Sequence, residues 1–135
     1  MSKAAVIYWS ATGNTQAMAE AVARGAGADL FSVSEFDASS IDSYDAFALG
    51  CPAMGAEELE EGEFQPFFDT AAPQLAGKKV VLFGSYGWGD GQWMRTWEEN
   101  CAAYGITLAA ESVIANNYPD DDAIAACEAL GAAIA

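Results

Sequence analysis

The sequence predicts a doubly wound α/β domain, in which a five-stranded parallel sheet of strand order 2-1-3-4-5 carries helices on both faces. Two features predict this class. Short apolar runs rich in β-branched and aromatic residues alternate with longer segments of helical spacing, and alternating strands and helices build parallel sheets. Polar, glycine-containing loops follow the first, third and fourth runs, where sheets of this order bind ligands. We therefore expect a single domain, residues 1–135, with its functional groups at one edge of the sheet.

Five apolar runs predict the strands. The clearest are AAVIYW at 4–9 and KKVVLFGS at 78–85, which have the length and composition of buried strands. The other three predicted strands span 29–34, 45–51 and 107–116. The stretch SEFDASSIDSY between the second and third strands is short, so it predicts one or two helical turns at most.

Helical spacing predicts four helices, over 14–26, 64–75, 92–104 and 120–134. In the first, Met18, Val22 and Ala26 recur at every fourth position and share one face. Trp93 and Trp97 are four residues apart in the third helix, and we expect both in the core. The last helix opens with three aspartates, which the helix dipole favours. Its apolar face comprises Ile124, Leu130, Ile134 and either Cys127 or Glu128.

The charge balance limits the possible partners. Twenty acidic residues oppose five basic ones, for a net charge of -15, which disfavours nucleic acid and anionic membrane surfaces and favours basic proteins. No apolar run reaches the length of a membrane span. The N-terminal segment MSKAAVIYWS contains too short an apolar stretch for a signal peptide. We expect a cytoplasmic, monomeric protein.

The cysteine and histidine content excludes several kinds of site. Cys51, Cys101 and Cys127 are far apart and form no CxxC pair, whereas iron–sulfur clusters need four thiolates. We therefore expect three buried free thiols. The chain has no histidine, which removes the commonest zinc ligand and the commonest general base. This composition argues against most hydrolases and metalloenzymes, and no metal site is expected.

The loop SATGNT, residues 10–15, connects the first predicted strand to the first helix. Its three hydroxyl groups, its amide and the N–H groups of a helix N-terminus can donate to an anion, and Gly13 lets the chain approach closely. The loop has no lysine, so it is not a Walker A loop, and no GxGxxG fingerprint follows the strand. These neutral donors suit a single terminal phosphate; the alternative is an ordinary N-capped helix after a polar turn.

The other two loops carry side chains suited to a planar ligand. The loop CPAMGAEELEEGE places Met54, a polarizable thioether, beside Gly55, although Met-Gly in isolation is more often an ordinary turn. Its five glutamates form an acidic patch, most of it a solvated face. In the loop GSYGWGDGQW, glycines separate Tyr86 from Trp88. An aromatic ring in such a loop either stacks on a planar ligand or folds back onto the sheet edge.

These three loops, SATGNT, CPAMGAEEL and FGSYGWGDGQWM, resemble the FMN-binding loops of the flavodoxins. The resemblance extends from VIYWSATGNT to the final helix without large insertions. It is closest to the short-chain flavodoxins of anaerobic bacteria, because the fifth predicted strand continues without the extra loop of the long-chain class. The resemblance implies the flavodoxin-like fold, FMN as a non-covalent cofactor, and a low-potential one-electron carrier that alternates between neutral semiquinone and anionic hydroquinone, rather than an enzyme with its own substrate.

The resemblance also implies roles for the loop residues. The residues that wrap the FMN phosphate are Ser10, Ala11, Thr12, Gly13, Asn14 and Thr15, with Ser85 as a further donor. Met54 and Trp88 stack on the two faces of the isoalloxazine ring. Gly55 supplies a carbonyl that turns toward flavin N(5) on one-electron reduction, and Glu57 accepts a hydrogen bond from N(3)–H.

The pyrimidine edge of the ring is served by the backbone amides of Gly87 and Gly89. The other positions that the resemblance places in the cofactor site are Pro52, Ala53, Ala56, Tyr86 and Asp90. Two of these loops depart from the family pattern. Ala56 stands where relatives often have Ser or Asp, and Ala11 stands where they often have Gly. Ala56 puts the energetics of the carbonyl movement in doubt.

The resemblance gives the acidity a function. An extra negative charge about 10 Å from a reduced flavin costs roughly 0.4 kcal/mol at the dielectric constant of water, and about 1.4 kcal/mol corresponds to 59 mV for one electron. Several carboxylates would therefore make the reduced flavin a stronger donor. The same charge favours docking on the basic surfaces of redox partner proteins, in a ferredoxin-like role.

Three other functions compete with this one. An FMN-dependent NAD(P)H:quinone reductase would need positive charge for the nicotinamide phosphates, and the loops have only Arg95 nearby. A phosphoacceptor receiver would need aspartates after the first and third strands, where the chain has Trp9, Ser10 and Cys51. A flavin-free scaffold would leave Trp88 and its flanking glycines unexplained.

Overall fold

The computed structural model describes residues 3–54, 58–87 and 89–135. One parallel sheet comprises β1 Ala4–Tyr8, β2 Asp29–Ser32, β3 Ala46–Gly50, β4 Lys79–Tyr86 and β5 Val113–Asn116. The strand order, β2-β1-β3-β4-β5, confirms the prediction. Four predicted site residues lie outside the described residues: Gly55, Ala56, Glu57 and Trp88.

The four predicted helices are all present. They are α1 Asn14–Ala26, α2 Phe64–Leu75, α3 Gln92–Ala103 and α4 Asp121–Ala132. A 3-10 helix, Ala38–Ser43, occupies the short connection between β2 and β3, as predicted. Within the described part of the chain, no helix is long and apolar enough to cross a bilayer.

The sheet separates two core layers of different composition. Alternation along β1 sends Ala5 and Ile7 to one layer and Ala4 and Val6 to the other. The first layer, packed under α2, α3 and the 3-10 helix, is called here the aromatic layer. Its buried aromatic residues are Phe36, Tyr44, Phe47, Phe64, Phe68, Trp93 and Trp97. The core positions predicted for both tryptophans are therefore confirmed.

The second layer, under α1 and α4, is built mainly from small residues and is called the small-residue layer. Gly131 of α4 packs so closely on α1 that a Cβ there would overlap the carbonyl oxygen of Val22. A Cβ on Gly25 of α1 would overlap the carbonyl oxygen of Glu128 in the same way. The two helices thus meet backbone to backbone. Cys127, rather than Glu128, belongs to the buried face.

The fifth strand differs from the prediction, which made 107–116 one strand. Leu108 forms only an isolated bridge with Val80, and β5 begins at Val113, opposite Phe83. Residues 109–112 therefore lie opposite only Val81 and Leu82 of β4, a bulge that breaks the ladder. Its side chains include Ser112, which donates to Glu98 Oε2 of α3 at 2.7 Å. The apolar pattern did not reveal this bulge because alanines occupy both the bulge and the strand.

Candidate functional site

The first loop exposes unpaired donors at the start of α1. Gly13 adopts a left-handed conformation, φ 92°, and its N–H donates to Ser10 Oγ at 3.1 Å. The first helical hydrogen bond runs from the N–H of Ala17 to the Gly13 carbonyl at 3.0 Å. In the described part of the chain, nothing accepts from the N–H groups of Asn14, Thr15 and Gln16. These groups and the helix dipole can hold an anion.

A buried pair of hydroxyl groups connects this loop to the end of β4. Thr15 Oγ1 and Ser85 Oγ are 3.0 Å apart, and both residues are buried. Ser85 also accepts, through its carbonyl, the N–H of Ala53 at 3.0 Å. Ser85 therefore joins the first loop to the chain that leaves β3.

The second loop begins as an extension of β3 and then turns back on itself. Met54 and Glu58 exchange two backbone hydrogen bonds, of 2.8 and 2.9 Å, across an antiparallel bridge. The bridge joins Met54 to Glu58, the described residues on either side of positions 55–57. Leu59 is buried, whereas Glu58 and Glu61 are exposed, so the acidic patch is largely solvated, as expected.

The third loop is supported from the aromatic layer. The Tyr86 ring packs against Trp93 with ring centroids 5.5 Å apart. The indole N–H of Trp93 donates to the Cys51 carbonyl at 3.2 Å, which links α3 to the end of β3. Arg95 donates to the carbonyl of Asp90 at 3.3 Å and pairs with its carboxylate at 3.2 Å. Because both side chains are more than half exposed, the ion pair itself adds little stability.

The three loops surround one cavity of about 230 Å³. The predicted site residues that line it are Ser10, Ala11, Thr12, Asn14, Thr15, Pro52, Ala53, Met54, Ser85, Tyr86 and Gly87. Gly13 does not line it but shapes the first loop. Gly89 and Asp90 are exposed and do not line it either, and the side chain of Asp90 is engaged with Arg95. The structure therefore brings most of the predicted residues together, and the cofactor-binding roles implied above stay predictions.

Asn117 also lines the cavity, and sequence reasoning missed it. It follows β5 directly and adopts a left-handed backbone, φ 60°. Its N–H donates to the Tyr86 carbonyl at 2.7 Å. Asparagine tolerates this conformation better than most residues. The signal in the sequence was the pair Asn116–Asn117 at a predicted strand end, beside the sheet edge that the other loops occupy.

Charge is distributed unevenly between the two edges of the sheet. Lys3, Lys78 and Lys79 precede or begin β1 and β4, so they lie at the amino edge of the sheet. Arg24 lies in the last turn of α1 and pairs with Glu128 at 3.3 Å. Arg95, in the first turn of α3, contacts the third loop at the carboxyl edge through Asp90, and no charged residue lines the cavity among the described residues. The described lining of the cavity is thus uncharged, although the protein as a whole is strongly acidic.

The thiol nearest the cavity is structural. Cys51 is fully buried, and burial raises its pKa to about 12, so the thiol stays protonated at neutral pH. Its Sγ accepts the N–H of Glu60 at 3.3 Å. Cys101 and Cys127 are buried and free as well, which confirms the expectation for all three. Among the described residues, no group of three or more Cys, Asp or Glu is placed to hold a metal ion.

Comparison with known proteins identifies the family. The flavodoxin family model matches residues 6–130. The chain is 48% identical to a flavodoxin of Megasphaera elsdenii over 136 residues, which covers 96% of each protein. It is 46% identical to a flavodoxin of Clostridium beijerinckii over 121 residues, covering 86% of this chain and 88% of the relative. The solution structure of two-electron reduced Megasphaera elsdenii flavodoxin superposes with a TM-score of 0.88 at 40% identity, over 97% of both chains.

Proposed function

Since this chain belongs to the flavodoxin family of FMN-binding electron carriers, we propose that its three-loop cavity holds the FMN and that the protein carries single electrons without a substrate of its own. The observation that carries this proposal is the neutral anion cradle of the first loop. Three backbone N–H groups at the start of α1 have no acceptor among the described residues and lie beside the hydroxyl-bearing loop.

The cradle fits the phosphate of FMN. Oriented dipoles can bind a phosphate without a cation, because helix N–H groups carry partial positive charge. The hydroxyl groups of Ser10, Thr12 and Thr15 would add donors, and Ser85 is already held within the same set by its contact with Thr15. We expect this part of the site to fix the position of the bound FMN.

The remaining walls suit a planar ring. Met54 is half-buried and lines the cavity on the side of the second loop, and Tyr86 at the end of β4 and Asn117 after β5 line it as well. When bound, FMN supplies a group that accepts and releases electrons one at a time. The protein's contribution is to orient that group at the carboxyl edge and to surround it with carboxylates, which disfavour added negative charge on it.

An NAD(P)H-dependent reductase is disfavoured by charge. Nicotinamide phosphates need basic residues, and no basic side chain lines the cavity among the described residues. Arg95 is engaged with Asp90. The acidic carboxyl edge instead favours docking on basic surfaces of redox partners, which steers encounters and weakens with salt. We expect the chain to act as a monomer.

The test is reconstitution of apo-protein with FMN and, separately, with riboflavin, followed by flavin fluorescence. The cradle predicts that riboflavin, which lacks the phosphate, binds at least about 100-fold more weakly, the loss of two charge-assisted hydrogen bonds. Thr12→Ala should weaken FMN binding about tenfold and leave riboflavin binding unchanged. Equal affinities for the two flavins would contradict the assignment of the cradle. Steady NADH oxidation by the FMN-loaded protein alone would instead support the reductase.

A further inference from the structure

Glu60 receives the hydrogen bonds of four consecutive backbone N–H groups at the start of α2. Its Oε2 accepts from Gly62 at 2.7 Å, and its Oε1 accepts from Glu63 at 2.7 Å and from Phe64 at 2.9 Å. Its carbonyl oxygen accepts from Gln65 at 2.8 Å. The residue at the N-cap position, Glu63, makes no side-chain cap bond. One residue thus satisfies the donors that a helix N-terminus leaves free.

The same residue is attached to the end of β3. Its own N–H donates to the Sγ of Cys51 at 3.3 Å. Cys51 is fully buried, and its carbonyl accepts the indole N–H of Trp93. Glu60 therefore fastens the start of α2 to the rigid sheet and to α3, and closes the loop that leaves β3.

The loop that Glu60 closes is the one that carries Met54 to the cavity. The bridge between Met54 and Glu58 ends two residues before Glu60, and Leu59 between them is buried in the aromatic layer. Met54 lines the FMN cavity, whereas Glu60 does not. Any effect of Glu60 on the cofactor beyond the through-space effect of its charge must therefore pass through the position of this loop.

The neighbouring Glu61 provides a contrast. It is exposed, and its carboxylate accepts no hydrogen bond from the described residues, while Glu60 is partly buried and makes charge-assisted bonds. We propose that Glu60 is a positioning residue for the second loop. Glu60 holds Met54 and its bridge to Glu58 in place, and so sets the FMN affinity and the reduction potential of the bound flavin. This inference rests on the proposed function.

The experiment compares Glu60→Gln with Glu61→Gln, which removes the same charge one residue away. We expect Glu60→Gln to raise the FMN dissociation constant about tenfold, the loss of one charge-assisted hydrogen bond, and to move the first reduction potential toward that of free FMN. Glu61→Gln should change the dissociation constant less than about twofold. Its effect on the potential should be only the shift common to both variants from the lost charge.

A second control separates positioning from general stability. Asp120 caps α4 on the opposite face of the sheet, where its carboxylate accepts the N–H of Ala123 at 2.8 Å. Asp120→Asn therefore removes another capping charge without touching the second loop. Glu60→Asp keeps the charge on a shorter side chain, so its FMN affinity should lie between those of Glu60→Gln and the wild type. It also replaces Glu60→Gln in the comparison if that variant does not fold.

Amide hydrogen exchange in the apo-protein tests the loop without any flavin. Glu60→Gln should speed exchange of the paired N–H groups of Met54 and Glu58 at least about tenfold, and Asp120→Asn should leave them unchanged. The proposal is overturned if Glu60→Gln alters affinity, potential and exchange no more than Glu61→Gln and Asp120→Asn do. If wild-type protein fails to bind FMN, the proposed function fails, while the exchange comparison still decides whether Glu60 positions the loop.

Discussion

The two layers that flank the sheet support the cofactor loops by different means. In the small-residue layer, Gly25 and Gly131 bring the backbones of α1 and α4 into direct contact, so main-chain packing near the C-terminal end of α1 anchors the helix whose N-terminus carries the anion cradle. In the aromatic layer, side chains form the supports: Trp93 bonds the Cys51 carbonyl, and the indole N–H of Trp9 donates to Glu63 at 3.2 Å.

This difference indicates how each end of the site responds to change. Where two backbones are in contact, an added methyl group has no free space to occupy, so it forces the helices apart and lowers stability. Side-chain hydrogen bonds can be removed one at a time, at about 1 kcal/mol each. We therefore expect an added methyl group in the small-residue layer, on the side of the anion cradle, to cause a large loss of stability. Single substitutions in the aromatic layer, on the side of the second and third loops, should each cause a small one.

The largest expected effect comes from adding one methyl group to the small-residue layer. In Gly131→Ala the new Cβ overlaps the Val22 carbonyl, a backbone atom that cannot move aside alone. We expect unfolding in urea to show a loss of about 3 kcal/mol. Ala129→Val, at an exposed position of the same helix, should cost less than about 1 kcal/mol. A loss below about 1 kcal/mol in Gly131→Ala would mean that α1 and α4 can move apart at little cost, contrary to this interpretation.

A pair of tryptophan variants tests the side-chain supports. Trp93→Phe leaves the Cys51 carbonyl without its indole donor, whereas the buried indole N–H of Trp97 has no partner among the described residues. Both changes remove similar buried area, since each tryptophan is 1% exposed. Trp93→Phe should therefore be less stable than Trp97→Phe by about 1–2 kcal/mol in urea unfolding. Equal losses would show that the bond to Cys51 contributes nothing.

Asn117 separates backbone from side-chain contributions at the cavity wall. Asn117→Gly keeps the left-handed backbone at little cost and removes only the side chain, so it should weaken FMN binding several-fold at nearly unchanged stability. Asn117→Ala should also lose about 1 kcal/mol of stability. Fluorescence titration and urea unfolding of both variants measure the two effects. Unchanged FMN affinity in both would remove Asn117 from the site.

The smallest expected effect is a dependence on pH. Burial alone would raise the pKa of Glu60, but hydrogen bonds from Phe64, Glu63 and Gly62 outweigh it and lower the pKa below its ordinary value. A lowered folded-state pKa stabilises the fold above the ordinary value, and the contribution is lost as the pH falls through the folded pKa. The stability gap between wild type and Glu60→Gln should thus narrow below about pH 4, by less than about 1 kcal/mol. A gap that widens on acidification would contradict this sign.

The sequence predicted the fold well because its signals are local. Strand-sized apolar runs and helical spacing located the strands and the four helices, and their alternation, with glycine-bearing loops after the first, third and fourth strands, indicated the strand order and the carboxyl edge. The bulge at 109–112 was not predicted, because Ala109 and Ala110 pack equally well inside or outside a strand ladder. Register against β4 depends on contacts that apolar periodicity does not encode.

The cavity was predictable to the extent that its residues lie in sequence motifs. Asn117 was missed since the Asn116–Asn117 pair after an edge strand matches no ligand-binding motif, and its place beside Tyr86 depends on pairing between β4 and β5. Glu60 was missed for another reason. In a run of glutamates, composition predicts a solvated face, and the geometry that turns one carboxylate toward three backbone donors is visible only in the structure.

Anaerobic reductive titration of the FMN-loaded protein, followed by visible absorption, tests whether the protein carries electrons one at a time. We expect a one-electron-reduced flavin to accumulate with its own absorption band, and the second electron to enter at a distinctly lower potential because the surrounding carboxylates oppose added negative charge. Direct conversion of oxidised to fully reduced flavin, with no intermediate band, would contradict a one-electron carrier and favour hydride chemistry.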